Sequence, residues 1–379
     1  MVGPVTHCPA PLCKLPFGTV MKTSAGKTIQ HAHIGSWTSP SNKIVLRKIR
    51  KHGYRGNLLV WNMCKPLKFH LRSVLLRILL MISCLHSLPA KAAEIYFAEP
   101  KSVGQQAKRI IASLELSTTS HLQHPIKSVS TEVAGNLSGQ TNLVIALGPE
   151  SLDKVLSGSG SAPVIAVFVS KTSFESIQAK HKSRKNRSVS AIFSDPDPIK
   201  QVALIKALYG PSASAVLINS PAVQTYISGY QAAAEIIGVK LNIVNLRDIK
   251  STSDFIRASR NAVSLLLLKD QDLMERVSLE KILILSYEIN HQGVIGYSRG
   301  LVKNGGAATT YSSLDNIAHA IYLQTNQLQD SQSIDPPHYT TSFGVFLNKH
   351  VLRSLDIVNL DEDTVQNRIA SMIKGGTKK

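Results

Sequence analysis

Residues 194–221 read SDPDPIKQVALIKALYGPSASAVLINSP, and the order of events in this stretch decides the fold class. Pro196 and Pro198 each fix a φ angle, so SDPDP is a rigid turn rather than a continuing strand. A proline at the first helical position, with acids just ahead of it, opens a helix expected over 198–208. Tyr209-Gly210-Pro211 closes that helix, and residues 215–219 then form an apolar strand. A turn, a helix and a buried strand in this order form the crossover unit of a parallel sheet.

The same unit recurs on both sides. Toward the amino end, strands are expected over 94–97, 141–147 (TNLVIAL), 163–169 (PVIAVFV) and 188–193, with helices over 104–114, 150–157 and from about 173. Toward the carboxyl end, helix 222–237 closes at Gly238, and strands 240–245, 262–268 and 293–297 alternate with helices 252–260, 271–278 and 314–328. Near-continuous apolar strands are those buried on both faces, as in an all-parallel sheet. The fold class is therefore α/β, in two Rossmann-like lobes with parallel sheets. The expected division is lobe one over 93–195, lobe two over 196–330, and a segment 331–379 that crosses back to lobe one.

Charge and cysteine divide the chain at one place. It has 379 residues with 43 Lys+Arg against 24 Asp+Glu, a formal net charge of +19. Residues 1–93 hold no acid and 14 of the basic residues, which leaves 29 basic against 24 acidic afterwards. The body is thus mildly basic, and nucleic acid is not an expected partner. Cys8, Cys13, Cys64 and Cys84 all precede position 93, so the remainder has neither a disulfide framework nor a thiolate metal site.

Residues 63–92 account for the division. Lys65, Lys68, Arg72 and Arg77 form a basic stretch before the apolar run 78–88, which is too short to span a bilayer. Pro89 breaks the helix, and Ala90-Lys91-Ala92 supplies the small residues of a cleavage site before Ala93. The reading is a signal peptide and a periplasmic product. A lipid anchor on Cys84 is the second choice, because Met81 is a poor first residue for a lipobox. Residues 1–62 read as an upstream extension from a start set too early, with Met63 the working start. Their basic cluster, Lys43 to Arg55, is the alternative, as an arm for nucleic acid.

Three stretches carry a family resemblance. The opening segment 194–221, GVIGYSRGLVKNGGAATTYSSLDNIAHAIYLQ (293–324) and TSFGVFLNKHVLRSLDI (341–357) resemble the ABC-transporter substrate-binding proteins of the type I periplasmic binding protein fold. In the last segment Phe346, Asn348, Leu355 and Ile357 stand at matching places. The resemblance implies two lobes joined by a hinge that close over a small-molecule ligand. It also implies a monomer without cofactor that serves an ABC permease or a membrane sensor protein. Lobe one departs from the pattern: residues 94–117 are abbreviated, and Ser170-Lys171-Thr172 replaces the usual Asp-Pro-Val.

In open parallel sheets ligands bind beyond the carboxyl ends of the strands. Those ends offer Gly148 with the amides after it, Ser170 and Thr172, Ser194 and Asp195, Asn219 and Ser220, Lys269 and Asp270, and Ser298 and Arg299. Helix amino ends favour carboxylate or phosphate. Arg299 is suited to clamp a carboxylate, and Asp270 or Asp195 an ammonium, a set that fits an amino acid or another carboxylate. Plainer roles stand beside these. Asp195 and Asp270 would cap the helices after them, Arg299 would be a loop charge, and Tyr297 and Tyr311 would pack. The sequence contains no Walker loop, GxSxG or HExxH, so no catalytic residue, metal site or cofactor is expected. An α/β enzyme such as a transferase, and an envelope interaction protein whose cleft has lost its ligand, remain the competing classes.

Overall fold

The computed structural model describes residues 94–100, 105–122, 126–182 and 187–376. Segment 63–92, read above as a signal peptide, the stretch 1–62 and all four cysteines lie outside the described residues.

Lobe one is a parallel sheet of five strands in the order β2-β1-β3-β4-β5. They are β1 (Glu94–Glu99), β2 (Lys127–Ser130), β3 (Asn142–Leu147), β4 (Val164–Val169) and β5 (Val189–Phe193). Between them run α1 (Gln105–Leu122), α2 (Thr131–Asn136), α3 (Pro149–Ser157) and α4 (Lys171–Lys180). The apolar runs of β3 and β4 are continuous because each of these strands serves two cores. Leu143, Ile145 and Leu147 face one side with Ile95 and Phe97, while Val144 and Ala146 face the other with Leu152, Val155 and Phe174. The sheet edge β2 has the sequence KSVS and is largely exposed, so it shows no apolar period. That is why neither β2 nor α2 was expected.

Lobe two has six strands in the order β11-β10-β9-β8-β6-β7. These are β6 (Ser214–Asn219), β7 (Lys240–Asn245), β8 (Ser264–Leu266), β9 (Gly293–Ile295), β10 (Ala308–Tyr311) and β11 (Gly344–Leu347), the last antiparallel to its neighbour. Helices α5 (Pro198–Tyr209) and α6 (Gln224–Ile237) share one core with Leu217 and Leu266. On the opposite face, α7 (Thr252–Ser259), α8 (Gln271–Arg276) and α9 (Leu279–Glu288) enclose Val216, Leu265 and Val294. The short α10 (Arg299–Lys303) follows β9. No helix among the described residues is long and apolar enough to cross a membrane.

The chain passes between the lobes three times, and here the expected boundaries need correction. Residues 194–197 lead from β5 into α5, as the double-proline turn implied. Helix α11 (Leu314–Ser331), expected to complete lobe two, instead seats Ile317, Ala318, Ile321 and Leu328 on lobe one beside Ile111 and Leu114 of α1. The stripe on α1 does not cover that face of the sheet alone, and α11 completes it. Residues beyond 331 do return past lobe one: His338 bridges to β5, with Phe193 N–H donating to its carbonyl at 3.0 Å. The chain then re-enters lobe two. There it forms β11, α12 (Lys349–Ser354) and α13 (Glu362–Gly376), whose Val365 and Ile369 are buried in the same core as α5.

The crossings are tied to one another. Lys200 is buried, donates to the Thr340 carbonyl, and lies 3.2 Å from Asp197 and over the Phe343 ring. Ser312 and Thr340 share a hydroxyl–hydroxyl bond of 2.7 Å.

Candidate functional site

In lobe one the expected site residues are engaged with the protein itself. Ser170 caps α4 by accepting from Ser173 N–H at 3.2 Å. Lys171 N–H donates to Asp195 Oδ1 at 3.0 Å, and Thr172 N–H points to the Tyr226 phenol oxygen at 3.5 Å. The first three amides of α4, the natural anchor for an anion, therefore all end on protein oxygens. Asp195 does not cap the helix after it. That role belongs to Asp197, whose carboxylate accepts from Ile199 N–H at 3.2 Å. The second oxygen of Asp195 accepts from Tyr339 Oη at 3.3 Å, and the Tyr226 phenol also acts on this carboxylate. Burial raises the Asp195 pKa, although the hydrogen bonds from Lys171, Tyr226 and Tyr339 favour the charged form. Burial likewise raises Tyr226 and Tyr339, so both phenols are donors at neutral pH.

Two lobe-one positions are less committed. Ser194 is exposed. Gly148 ends β3 at φ 89° and precedes α3 without a side-chain cap, a conformation that favours glycine. A Cβ there would meet open space.

Lobe two is arranged differently. Asp270 is only 1% exposed; its Oδ1 caps α8 through Leu273 N–H at 3.1 Å, but its Oδ2 meets no donor at hydrogen-bond distance. Burial raises its pKa, and the neighbouring Ser220 hydroxyl pulls the other way. Asn219, at the end of the adjacent strand β6, leaves its Oδ1 buried and unpartnered too. Asn219 and Ser220 line a cavity of about 640 Å³ at the carboxyl ends of β6 and β7. Gln224, Asn245, Arg247 and Glu275 are also in its wall. Arg276 shows its flank there while its guanidinium donates to the Leu246 and Ile249 carbonyls.

Ser298 caps α10 through Leu301 N–H at 3.2 Å. Arg299 is exposed, with its guanidinium 4.8 Å from the Tyr311 ring centre and 5.1 Å from that of Phe346. Tyr297 packs against the lobe-two core.

The structure thus brings Ser170, Thr172 and Asp195 together at one place, and Asn219 and Asp270 at another. Sequence reasoning missed Tyr226, Tyr339 and the cavity wall of Gln224, Asn245 and Arg247. Tyr226 carried a faint signal, as an aromatic in the first turn of the helix that follows a strand end. Tyr339 carried none, because its relation to Asp195 spans 144 residues.

Two parallel α/β lobes, three crossings between them and polar groups gathered at strand carboxyl ends define the type I periplasmic binding protein fold. That fold is shared with the ligand-free, open structure of a substrate-binding protein with adhesive properties from Clostridium difficile. The TM-score is 0.53 at 12% identity, over 72% of this chain and 98% of that one. An ABC domain in complex with L-Trp from Streptococcus pneumoniae aligns at TM-score 0.44 and 13% identity, over 75% of this chain and 98% of that one. For a glucose-galactose binding protein from Geobacillus stearothermophilus the values are 0.40 and 10%, over 68% and 98%. No known protein-family profile matches the chain, and neither does any curated protein sequence.

Proposed function

We propose that this protein is a non-catalytic solute-binding protein that captures a small polar ligand between its lobes for an ABC importer or a membrane sensor. The observation that carries the reading is a pair of buried oxygens with no donor at hydrogen-bond distance, Asn219 Oδ1 at the end of β6 and Asp270 Oδ2 in the turn after the neighbouring β8. A buried acceptor without a donor costs about 1–3 kcal/mol, a cost that a ligand supplying the donor would remove. Asn219 lines a cavity of about 640 Å³, of the size that holds small ligands. A solute rich in donors, a polyol or an amine, matches these acceptors. The amino-acid reading needs Arg299 as well, and that side chain now lies over two aromatic rings. The periplasm is the proposed location, on the strength of segment 63–92, and the monomer the proposed state.

Thermal denaturation of the full chain against a panel of monosaccharides, polyols, amino acids and small carboxylates tests the reading. A ligand at 100 times its Kd should add about 2.7 kcal/mol of stability. Stabilisation by no member of the panel would reject the transport reading. It would favour the ligand-free interaction protein, to which the occupied amino end of α4 already lends support.

A further inference from the structure

The amino end of α4 is the place where the two lobes meet through named polar atoms. Thr172, on lobe one, has its Oγ1 3.2 Å from the Tyr226 phenol oxygen, and Tyr226 belongs to α6 of lobe two. One residue earlier, Lys171 Nζ lies 3.5 Å from the Thr225 carbonyl, again from lobe one to lobe two. Asp195 stands at the first crossing, accepts from the Lys171 amide, and acts on Tyr226 as well. Its carboxylate occupies the position at a helix amino end where an anionic ligand would otherwise sit. Tyr226 is half-buried, its ring packed against the lobe-two core, so its hydroxyl is held at a fixed place.

We infer that Thr172, Tyr226 and Asp195 form a ligand-independent clasp between the lobes, and that the cleft widens only when the Tyr226 phenol leaves Thr172. Asp195 supplies the charge that holds both sides: the α4 amides through Lys171, and the phenol of lobe two. The third crossing joins the same cluster through Tyr339, which rests on the Phe193 ring at 5.1 Å while donating to Asp195. The clasp therefore includes a group from each lobe and from two of the three crossings. It does not depend on what the cleft holds.

The test uses the full chain with Cys8, Cys13, Cys64 and Cys84 replaced by serine, and one spin label on each lobe. Val133→Cys and Asp248→Cys provide the sites, both exposed. Inter-lobe distances are then measured without ligand by double electron–electron resonance. Tyr226→Phe keeps the ring and removes only the hydroxyl. It should shift the ratio of open to clasped molecules at least about fivefold toward open, the equivalent of one or more hydrogen bonds. Thr172→Val, which removes the opposing hydroxyl at nearly constant volume, should shift the ratio in the same direction. The double variant should exceed Tyr226→Phe by little, because the phenol's contact with Thr172 is already gone in that variant. Distance distributions unchanged in both single variants would overturn the clasp. If Tyr226→Phe lost its near-ultraviolet circular dichroism, Thr172→Val alone would decide.

Discussion

Two strand ends, one in each lobe, stand in opposite electrostatic conditions. In lobe one, the amides that open α4 are all directed at Ser170, Asp195 and Tyr226, so the end of β4 has no spare donors in its first turn. In lobe two, the end of β6 and the turn after β8 keep two oxygens, Asn219 Oδ1 and Asp270 Oδ2, buried and without a donor at hydrogen-bond distance. The same architecture thus carries a satisfied strand end at β4 and a needy one at β6. On the proposed function, chemical discrimination belongs to lobe two, and lobe one acts through its inferred contact with Tyr226. The sequence departure at Ser170-Lys171-Thr172 falls at the satisfied end, where the residues serve one another.

The strongest way to break this comparison is to damage one lobe and watch the other. Ile321→Ala removes a buried side chain of α11 and should destabilise the chain by about 2–5 kcal/mol in urea unfolding. Hydrogen exchange should then rise in β1, β3 and α1 before it rises in β6 and β8. The reverse order would return α11 to lobe two.

A smaller effect sharpens the comparison at the strand ends. Asp270→Asn keeps a side chain able to cap α8 but removes the charge behind Ser220. Affinity for any solute that stabilises the protein should fall at least tenfold, about 1.4 kcal/mol, by titration calorimetry. Asp195→Asn should leave the same affinity within about twofold, under 0.5 kcal/mol. Equal losses in the two variants would erase the distinction between the lobes.

The smallest effect is on pH. Burial raises the Asp195 pKa, so the folded chain binds that proton more tightly than the unfolded chain. Stability therefore declines as pH rises from the unfolded carboxylate value through the folded one. Asp195→Asn removes this slope. Its melting temperature relative to wild type should rise with pH from 4 to 7, by no more than a few degrees, in scanning calorimetry. A difference that falls with pH would mean that the hydrogen bonds outweigh burial.

Much of the fold was legible because its central strands are buried twice over. Residues 141–147, 163–169 and 215–219 are nearly free of polar side chains where the sheet faces helices on both sides. Strand β2 escaped because Lys127, Ser128 and Ser130 face water, and a single valine makes no period. Helix α11 was legible as a helix but not as part of lobe one: an apolar stripe declares that a face is covered, not by which lobe. The site divides similarly. Asp270 as a helix cap follows from local spacing, since its partner Leu273 is three residues on. Asp195 depends on Tyr226 and Tyr339, which only the crossings bring near. Asn219 was chosen for its place at a strand end, but its missing donor is a property of packing.

The third crossing also sets an order of completion. Strand β11 and helix α13 come from the last quarter of the described chain, yet they cover the β10 edge and the α5 face of a sheet begun at Ser214. A polypeptide emerging from its amino end finishes lobe one with α11 while lobe two still shows a bare strand edge. Such an edge is a template for pairing with another chain. Products that stop before Gly344 should therefore self-associate even with lobe one intact, and a chaperone protecting the nascent protein would have most to gain at β10.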